Sequence, residues 1–598
     1  MIKYIYNVRP TKRPVSYLTK KTIHGKTYYY LRKSQRVDGK PKVVSTQYLG
    51  PANQLVKLLE KASEPTPPDK TKVLAFGSVA LAYAVVKELG LAPLIDACLP
   101  KRKQGLKFSD YLLISAINRS VEAKSKRQMK HWLSKTALPY MMGLKNLSFI
   151  TPQHFWNHAD WIFSPSEKET KALQSKKIDQ AVTLIRNRCM QHLHLSLQFF
   201  HYDTTNYFTY ISTFNSRSQL AKRGHNKQKR DDLRQVNWAL VVSEKDHIPL
   251  FQKVYPGNLN DPTEFPILIP ELMALGTNPE GKQLTQVTLV FDAGNWSESI
   301  AKKLEKARLH WITTLVPSHH ADLAAIPLEE KNFSLIQGRE GIQVHQTSKK
   351  LIEPEKGKEE KKHTVVIVFN AKMFEEELKT YVKQKDQAYQ KLQDLARRLD
   401  NSAKRNMKKI RDQVSIQMEL KDILSPAYLK SCFSVNIEKD AKGYSHLNWR
   451  YDEKAFDRYI EYYCGKEFLA SSREDLTMDE IVNARYEQAH IERAFKITKD
   501  ETLGGWWPMY HWTDPQIMVH GFCCYLSLLI LSMIQKRIKE FNLGSGIHTL
   551  MTDTLKTVYR LDDYYRNKKG NTQTLRRLSE MDEFQEKVVE TFDLRKYL

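Results

Sequence analysis

Two short apolar runs, each carrying an aspartate, constrain this chain more than any other feature of its sequence. In FFHYDTTNYF the aspartate is Asp203, and in TLVFDAGNW it is Asp292. Aromatic and β-branched residues at this density read as buried strands. A carboxylate within or at the end of such a strand is costly unless it is paired, hydrogen-bonded or bound to a cation. Further strand-like runs, VNWALVVS and HIPLFQKVYPGN, follow the first aspartate, and HWITTLV follows the second. Helical spacing returns between them, after Pro266. Strand and helix alternating in this way imply an α/β core.

Charge narrows the partner. The chain has 598 residues, enough for three or four domains as a rough prior, and a formal net charge of +27. That excess points to a polyanion. A hydrophobic content of 41% excludes a disordered basic tail. The six cysteines form no CxxC pair, which excludes a zinc ribbon and a disulfide framework and fits a reducing compartment. Met1-Ile2-Lys3-Tyr4 lacks the apolar run of a signal peptide. Ile517–Ile534 is almost long enough to span a bilayer, but His520, Gly521, Ser527 and Ser532 interrupt it and both flanks are polar. It is expected to be a buried core helix of a soluble, cytoplasmic protein.

Along the chain, residues 25–50 read as a β-hairpin turning through Asp38-Gly39-Lys40-Pro41, within an N-terminal region 1–61. Residues 62–72 are a linker rich in Pro, Ser and Thr. Helical spacing over 73–192 is broken by the basic clusters Lys101-Arg102-Lys103 and Lys124-Ser125-Lys126-Arg127, which predicts a helical domain with a positive face. A long charged helical stretch covers 371–421, strands are expected at 432–437 and 445–451, and a helix at Met478–Lys499. The last segment, 536–598, is expected to be helical.

Several familiar chemistries are missing. Gly25-Lys26-Thr27 resembles the end of a phosphate-binding loop, but Lys20 stands where that motif needs its first glycine. There is no HExxH, no GxSxG and no GxGxxG after a strand. The two strand aspartates remain. Mg²⁺ takes oxygen ligands and characteristically uses one or two carboxylates plus substrate phosphates. A metal pair at a phosphodiester also needs a third carboxylate, and ARYEQAHIERAFKITK offers Glu487 and Glu492. Gly257-Asn258 reads as a turn, Trp296, Trp506 and Trp507 as core packing with stacking on an unpaired base as the alternative, His201, His490 and His520 as core or surface histidines, and Cys523-Cys524 as helix packing.

IERAFKITKD followed by PMYHWTDPQIMVHGFCCYLSLLIL resembles the C-terminal catalytic block of insertion-sequence DDE transposases. RGHNKQKRDDLRQVNWALVV, PLFQKVYPGNLNDPTEF, VFDAGNW and GKEFLASS agree in order. The resemblance is to the branch with a ribonuclease H-like mixed sheet, an insertion before the final glutamate, and a Tyr-Arg-Glu-Lys signature. It implies a catalytic core at 193–310 and 471–535, split by a β/helical insertion at 311–470, and a DNA-binding role for the helical region. It also implies that Asp203, Asp292 and Glu492 hold two Mg²⁺ ions, for which Mn²⁺ can substitute, and that Lys499 holds a DNA phosphate. The signature places tyrosine seven and arginine four before the glutamate. Here those positions hold Arg485 and Gln488, with Tyr486 six before, so neither role is assigned.

The expected activity is metal-dependent cleavage and strand transfer at the terminal inverted repeats of the protein's own element, into target DNA. The protein would act as a homodimer on double-stranded DNA in the prokaryotic nucleoid. Phosphate contacts are expected from Arg223, Lys227 and Arg230 in the basic loop 221–234, and from Lys126 and Arg127. The alternatives are a ribonuclease H-like nuclease or resolvase without strand transfer, and a catalytically decayed DNA-binding repressor.

Overall fold

The β-prone N-terminal runs pair into three strands where the sequence predicts two. In the computed structural model, β1 (Val15–Ile23), β2 (Lys26–Val37) and β3 (Lys40–Pro51) form an antiparallel meander, followed by helix α1 (Ala52–Ser63). The described residues are 15–37, 40–63, 67–99, 105–163, 175–195, 198–226, 229–259, 265, 268–269, 272, 287–329, 331–354, 357, 359–405, 412–566 and 572–598. The Asp38-Gly39 turn, the triplet Lys101-Arg102-Lys103 and Lys227 lie outside them, as does the side chain of His490.

The chain divides into two compact units, Met1–Lys72 with Leu561–Arg577, and Val73–Arg560 with Leu578–Leu598. Within the first, Asp563 accepts a hydrogen bond from Thr71 Oγ1 at 2.6 Å and pairs with Arg577 at 2.7 Å. The two partners hold its carboxyl below the usual range.

The second unit is built on a nine-stranded mixed sheet. Its strands are β5 (Phe199–Thr209), β6 (Arg234–Ser243), β7 (Pro249–Pro256), β8 (Thr288–Phe291), β9 (His310–Leu315), β10 (Ser334–Leu335), β11 (Ile342–Lys349), β12 (His363–Asn370) and β15 (Lys466–Ser471). They lie in the order β10-β11-β12-β15-β9-β8-β5-β6-β7, with β5-β8 and β8-β9 parallel and the other pairs antiparallel. The central strands are nearly continuous apolar runs because helices cover both faces.

The sheet runs further than the sequence predicts. Strands β10, β11 and β12, within the expected insertion, and β15, which ends one residue beyond it, extend it at one edge. The buried run HTVVIVFN of β12 is a core strand by composition alone. The residues between β12 and β15 gather a hydrophobic cluster of their own. There α2 (Ala371–Lys404) turns Ala388, Leu392, Leu395 and Leu399 toward Ile416, Leu429, Phe433 and Leu447, and exposes its charged side. The hairpin β13 (Phe433–Lys439) and β14 (Ser445–Tyr451) belongs to this cluster and matches the expected strands.

The expected helix at 478–499 is two helices, α3 (Met478–Glu487) and α4 (Ala489–Lys499), meeting at Gln488. A reciprocal Thr477–Glu480 cap starts the first. Helix α5 (Asp514–Glu540) is long and apolar enough to cross a membrane, but its apolar window is wholly buried in the protein. It packs against β7 and the helices Gly77–Glu88, Phe108–Val121 and Pro152–Ile162. Gly521 permits that approach, because a Cβ there would stand 2.4 Å from Val254 Cγ2. The expectation of helix over the last 60 residues fails at β16 (Tyr559–Arg566) and β17 (Thr572–Leu578), which join β4 (Lys70–Ala75) in a three-stranded sheet.

Candidate active site

Phe199, Phe200 and His201 of β5 pair in parallel with Thr288, Leu289 and Val290 of β8. Continuing that register by two residues sets Asp203 beside Asp292. Neighbouring strands lie about 5 Å apart, and side chains at matched parallel positions leave the same face. Tyr202 and Phe291 occupy the preceding pair and leave the opposite face, where both meet Phe265. Asp203 sits within β5, half-buried, and its Oδ1 accepts a hydrogen bond from Thr204 N at 2.7 Å. Asp292 follows the last residue of β8, before the short turn Ala293–Asn295. Thr314 of β9 fixes that turn by accepting from Ala293 N at 2.9 Å.

Helix α4 lies on the aspartate face. Tyr207, four residues beyond Asp203 and on the same side of β5, hydrogen-bonds Thr498. One turn earlier, Phe495 meets Trp238, the cross-strand partner of Thr205, at 6.4 Å between ring centroids. The helix therefore runs alongside β5, and its next turn back, carrying Glu492, reaches the level of Asp203. Glu492 is exposed. Glu487 lies elsewhere: it contributes, after burial, to pushing up the carboxyl of Glu244. Glu244 follows Ser243, which pairs with Phe200 near the start of β5. Among the described residues, no three His, Cys, Asp or Glu side chains converge closely enough to hold a metal ion as they stand. The register of β5 and β8 brings the two aspartates to one level, and Glu492 is exposed on helix α4, whose buried side packs against β5.

Arg485, to which no role is assigned from the sequence, reaches Asp292. Its Nε donates to Glu467 Oε1 at 2.8 Å, Nη1 to Gln488 Oε1 at 3.5 Å, and Nη2 stands 3.7 Å from Asp292 Oδ1. Arg485 and Gln488 are the two residues at the variant signature positions, and that coincidence is the signal that could have found them. Tyr486 points elsewhere, with its hydroxyl on Asn370 and its ring under Arg339. Asp292 Oδ1 and Asn295 Oδ1 are buried acceptors without hydrogen-bond partners among the described residues. Buried acceptors rarely stay unsatisfied, and an acceptor-only set beside a second carboxylate suits a hard cation.

Residues 208–513 match the family described as the transposase DDE domain. The chain belongs to that family. No curated protein matches it. Asp292, Glu492 and Lys499 of this transposase fall inside the matched segment, and Asp203 lies just before its start.

The transposase holds its basic loop close to the same strand ends. Asn206 Nδ2 donates to His225 O at 3.1 Å, Asn226 Nδ2 to Gln235 Oε1 at 2.8 Å, and Gln235 Nε2 to Gly257 O at 2.7 Å. Gly257 is more than a turn residue, since a Cβ there would stand 2.0 Å from Gln235 O. Arg223 is exposed, whereas Arg230 is paired bidentately with Asp232 at 2.9 Å and lies over the Phe208 ring. Lys499 is half-buried at the end of α4. Arg127 is exposed, but the Lys126 ammonium is turned inward, donating to Ser115 Oγ at 2.6 Å. Trp506 is fully buried, stacked on Tyr207 at 4.3 Å, and Trp507 packs on Phe208, so both serve the core as predicted.

Proposed function

We propose that this transposase cleaves DNA at the ends of its own insertion sequence and joins the freed 3′-hydroxyl to target DNA. Asp203, Asp292 and Glu492 are the carboxylates that would hold divalent cations, Mg²⁺ or Mn²⁺. When bound, a metal pair activates the attacking oxygen and stabilises the leaving oxygen of a phosphodiester. What supports this reading is the parallel register of β5 and β8, which, extended by two residues, brings Asp203 level with Asp292, together with the buried Asp292 Oδ1, which has an ion pair with Arg485 and no hydrogen bond among the described residues.

The protein's own groups then have distinct tasks. Arg485 neutralises Asp292 and Glu467 before a cation arrives. Lys499, about two helical turns beyond Glu492, shares its helix face and would meet a phosphate of the bound strand. Arg223 and the anchored loop 221–234 extend the positive surface along the DNA path. Juxtaposing two inverted repeats calls for a dimer on DNA.

The test uses DNA carrying the element's inverted repeats, found in the sequence flanking the gene, with a label on the 3′-end. Cleavage followed by transfer of the label into a second duplex supports the proposal. Cleavage without transfer would make the protein a nuclease, and binding without cleavage a repressor.

A further inference from the structure

The meander of the first unit has two unlike edges. Among the described residues, β1 and β3 each pair with β2 alone, so each has an open outer side. An open edge is a template for pairing with another chain, and folded proteins blunt it with bulges, prolines, charge or short length. The β3 edge is blunted in this way. Its register with β2 shifts twice, between Tyr29 and Tyr30 and between Lys33 and Ser34, and the strand carries Pro41 and Pro51. The β1 edge is not. Its nine residues pair with β2 without a shift, from Val15 opposite Ser34 to Ile23 opposite Lys26, and contain no proline. Strands average about five or six residues. Val15, Tyr17, Leu18 and Ile23 are 65%, 39%, 51% and 38% exposed.

Lys20 and Lys21 are the charged side chains of β1, and their positions decide what can pair with it. Side chains directly opposite each other leave the same face of a sheet. A second copy of β1 that continues the sheet antiparallel about a two-fold axis must therefore set one residue against its own symmetry mate. Centring the pair on Lys20 or Lys21 puts like charges directly opposite, which is destabilising. Centring it on Tyr17 or Leu18 leaves one end of each strand unpaired. Centred on Thr19, all nine residues pair and no lysine faces a lysine. Leu18 then meets Lys20, and Tyr17 meets Lys21, where an aromatic ring attracts an ammonium. Val15 meets Ile23, so the exposed β-branched ends cover one another.

We infer that β1 is the seam of a homodimer that forms without DNA, in which two copies of the strand pair antiparallel about Thr19 and join the two meanders into one sheet. The partner is a second copy of this chain, because the strand's charges are spaced to avoid their own mates along its full length. The inference is independent of the transposition reading and of the carboxylate centre. Backbone hydrogen bonds and apolar contacts would hold this dimer, and each chain brings a net charge of +27 to it. Salt should therefore tighten it by screening that repulsion, the opposite of its effect on DNA binding.

The experiment uses the full chain without DNA. Sedimentation equilibrium at low and high salt should show a dimer that tightens as salt rises. Thr19→Lys sets a further lysine against its own mate and should weaken the dimer roughly tenfold or more. Cysteine substitutions read the register. Directly opposite residues of an antiparallel pair lie about 4.5–5.5 Å apart at Cα, within reach of a disulfide. Thr19→Cys should crosslink with itself on mild oxidation. Leu18→Cys and Lys20→Cys should each crosslink poorly alone and readily with one another when mixed. The parent is the control, since Cys98 is its one cysteine that is not buried. A monomer at every salt concentration overturns the inference, and so does a dimer that neither Thr19→Lys weakens nor Thr19→Cys crosslinks. Self-crosslinking of Leu18→Cys in place of the mixed product would overturn the seam about Thr19. In each of these cases the transposase reading stands.

Discussion

Asp203 lies within β5 and Asp292 directly follows β8, and the parallel register of the two strands, extended by two residues, brings them to one level on the face where helix α4 lies. A pair of acceptor-only side chains held by two backbones is a stronger arrangement than either residue at a loop. Replacing Asp203, Asp292 or Glu492 by its amide should abolish both cleavage and strand transfer, because one cation pair serves both steps. DNA binding should persist or tighten slightly as repulsion of phosphate falls. Glu487→Gln should remain active, since Glu487 lies by Glu244 near the other end of β5. Labelled-DNA assays on the four variants check this, and an active Glu492→Gln beside an inactive Glu487→Gln would move the site.

Arg485 supplies a second prediction. Its guanidinium stands 3.7 Å from Asp292 Oδ1 and competes with any cation that binds there. Arg485→Gln should lower the Mg²⁺ concentration needed for half-maximal cleavage, by about tenfold if roughly 1.4 kcal/mol of competition is removed. Titration with metal, and direct measurement of Mn²⁺ binding without DNA, give two independent readouts. An unchanged or higher metal requirement would remove Arg485 from this role.

How far the site was legible depends on what each feature is made of. The strands of Asp203 and Asp292 could be recognised because apolar density is a local property. Their common register could not, because it is set by pairing between segments far apart in sequence. The charge pattern also misled in places. Lys126 sits in a basic run and reads as a phosphate contact, yet its ammonium points to Ser115 because an aliphatic stem can carry a charge inward as easily as outward. Residues 559–578 read as helix from their mixed charge, but YRLDDYYR and TQTLRRL are strands rich in Tyr, Thr and Leu. The 311–470 segment was legible as a β/helical mixture, but not the fact that its strands extend the central sheet.

Salt should control DNA binding. With a net charge of +27 and exposed Arg127, Arg217 and Arg223, several phosphates are neutralised on association. A protein making about six to ten such contacts loses roughly 10³–10⁵ in affinity between 50 and 200 mM salt. Affinity measured over that range checks it. A nearly flat response would exclude phosphate contacts as the main source of binding.

Gly257 is expected to tolerate no side chain. A Cβ would meet Gln235 O at 2.0 Å, on the residue that also anchors the basic loop through His225. Gly257→Ala should destabilise by about 1–3 kcal/mol, the ordinary range for overpacking, and loosen the loop. Gly294, whose added Cβ would meet nothing within 4 Å among the described residues, is the control. Thermal unfolding of the two variants should separate them clearly.

Lys126 gives the fold a pH dependence that can be worked through in sign. Burial is the largest cause that brings its ammonium down to about 8, with nearby Arg119 adding to the effect. Unfolded lysine titrates near 10.4. Below about pH 8 both states hold the proton, and the folded state carries the full cost of burying the charge. Between about 8 and 10.4 the folded state has released a proton that the unfolded state keeps, so stability rises with pH over that window. The facing histidines do not mask the trend, because burial brings His511 down to about 3 and His520 well below its usual value, leaving both neutral throughout. Lys126→Met keeps an unbranched apolar side chain and removes the charge, together with the ammonium's contact with the Phe155 ring. It should stabilise the protein at pH 7 by about 1–3 kcal/mol, the scale of a two-unit shift less the lost bond to Ser115. It should also flatten the rise in stability between about pH 8 and 10. Urea unfolding of parent and variant across that range is the measurement, and a slope that survives the substitution would assign the dependence to another group.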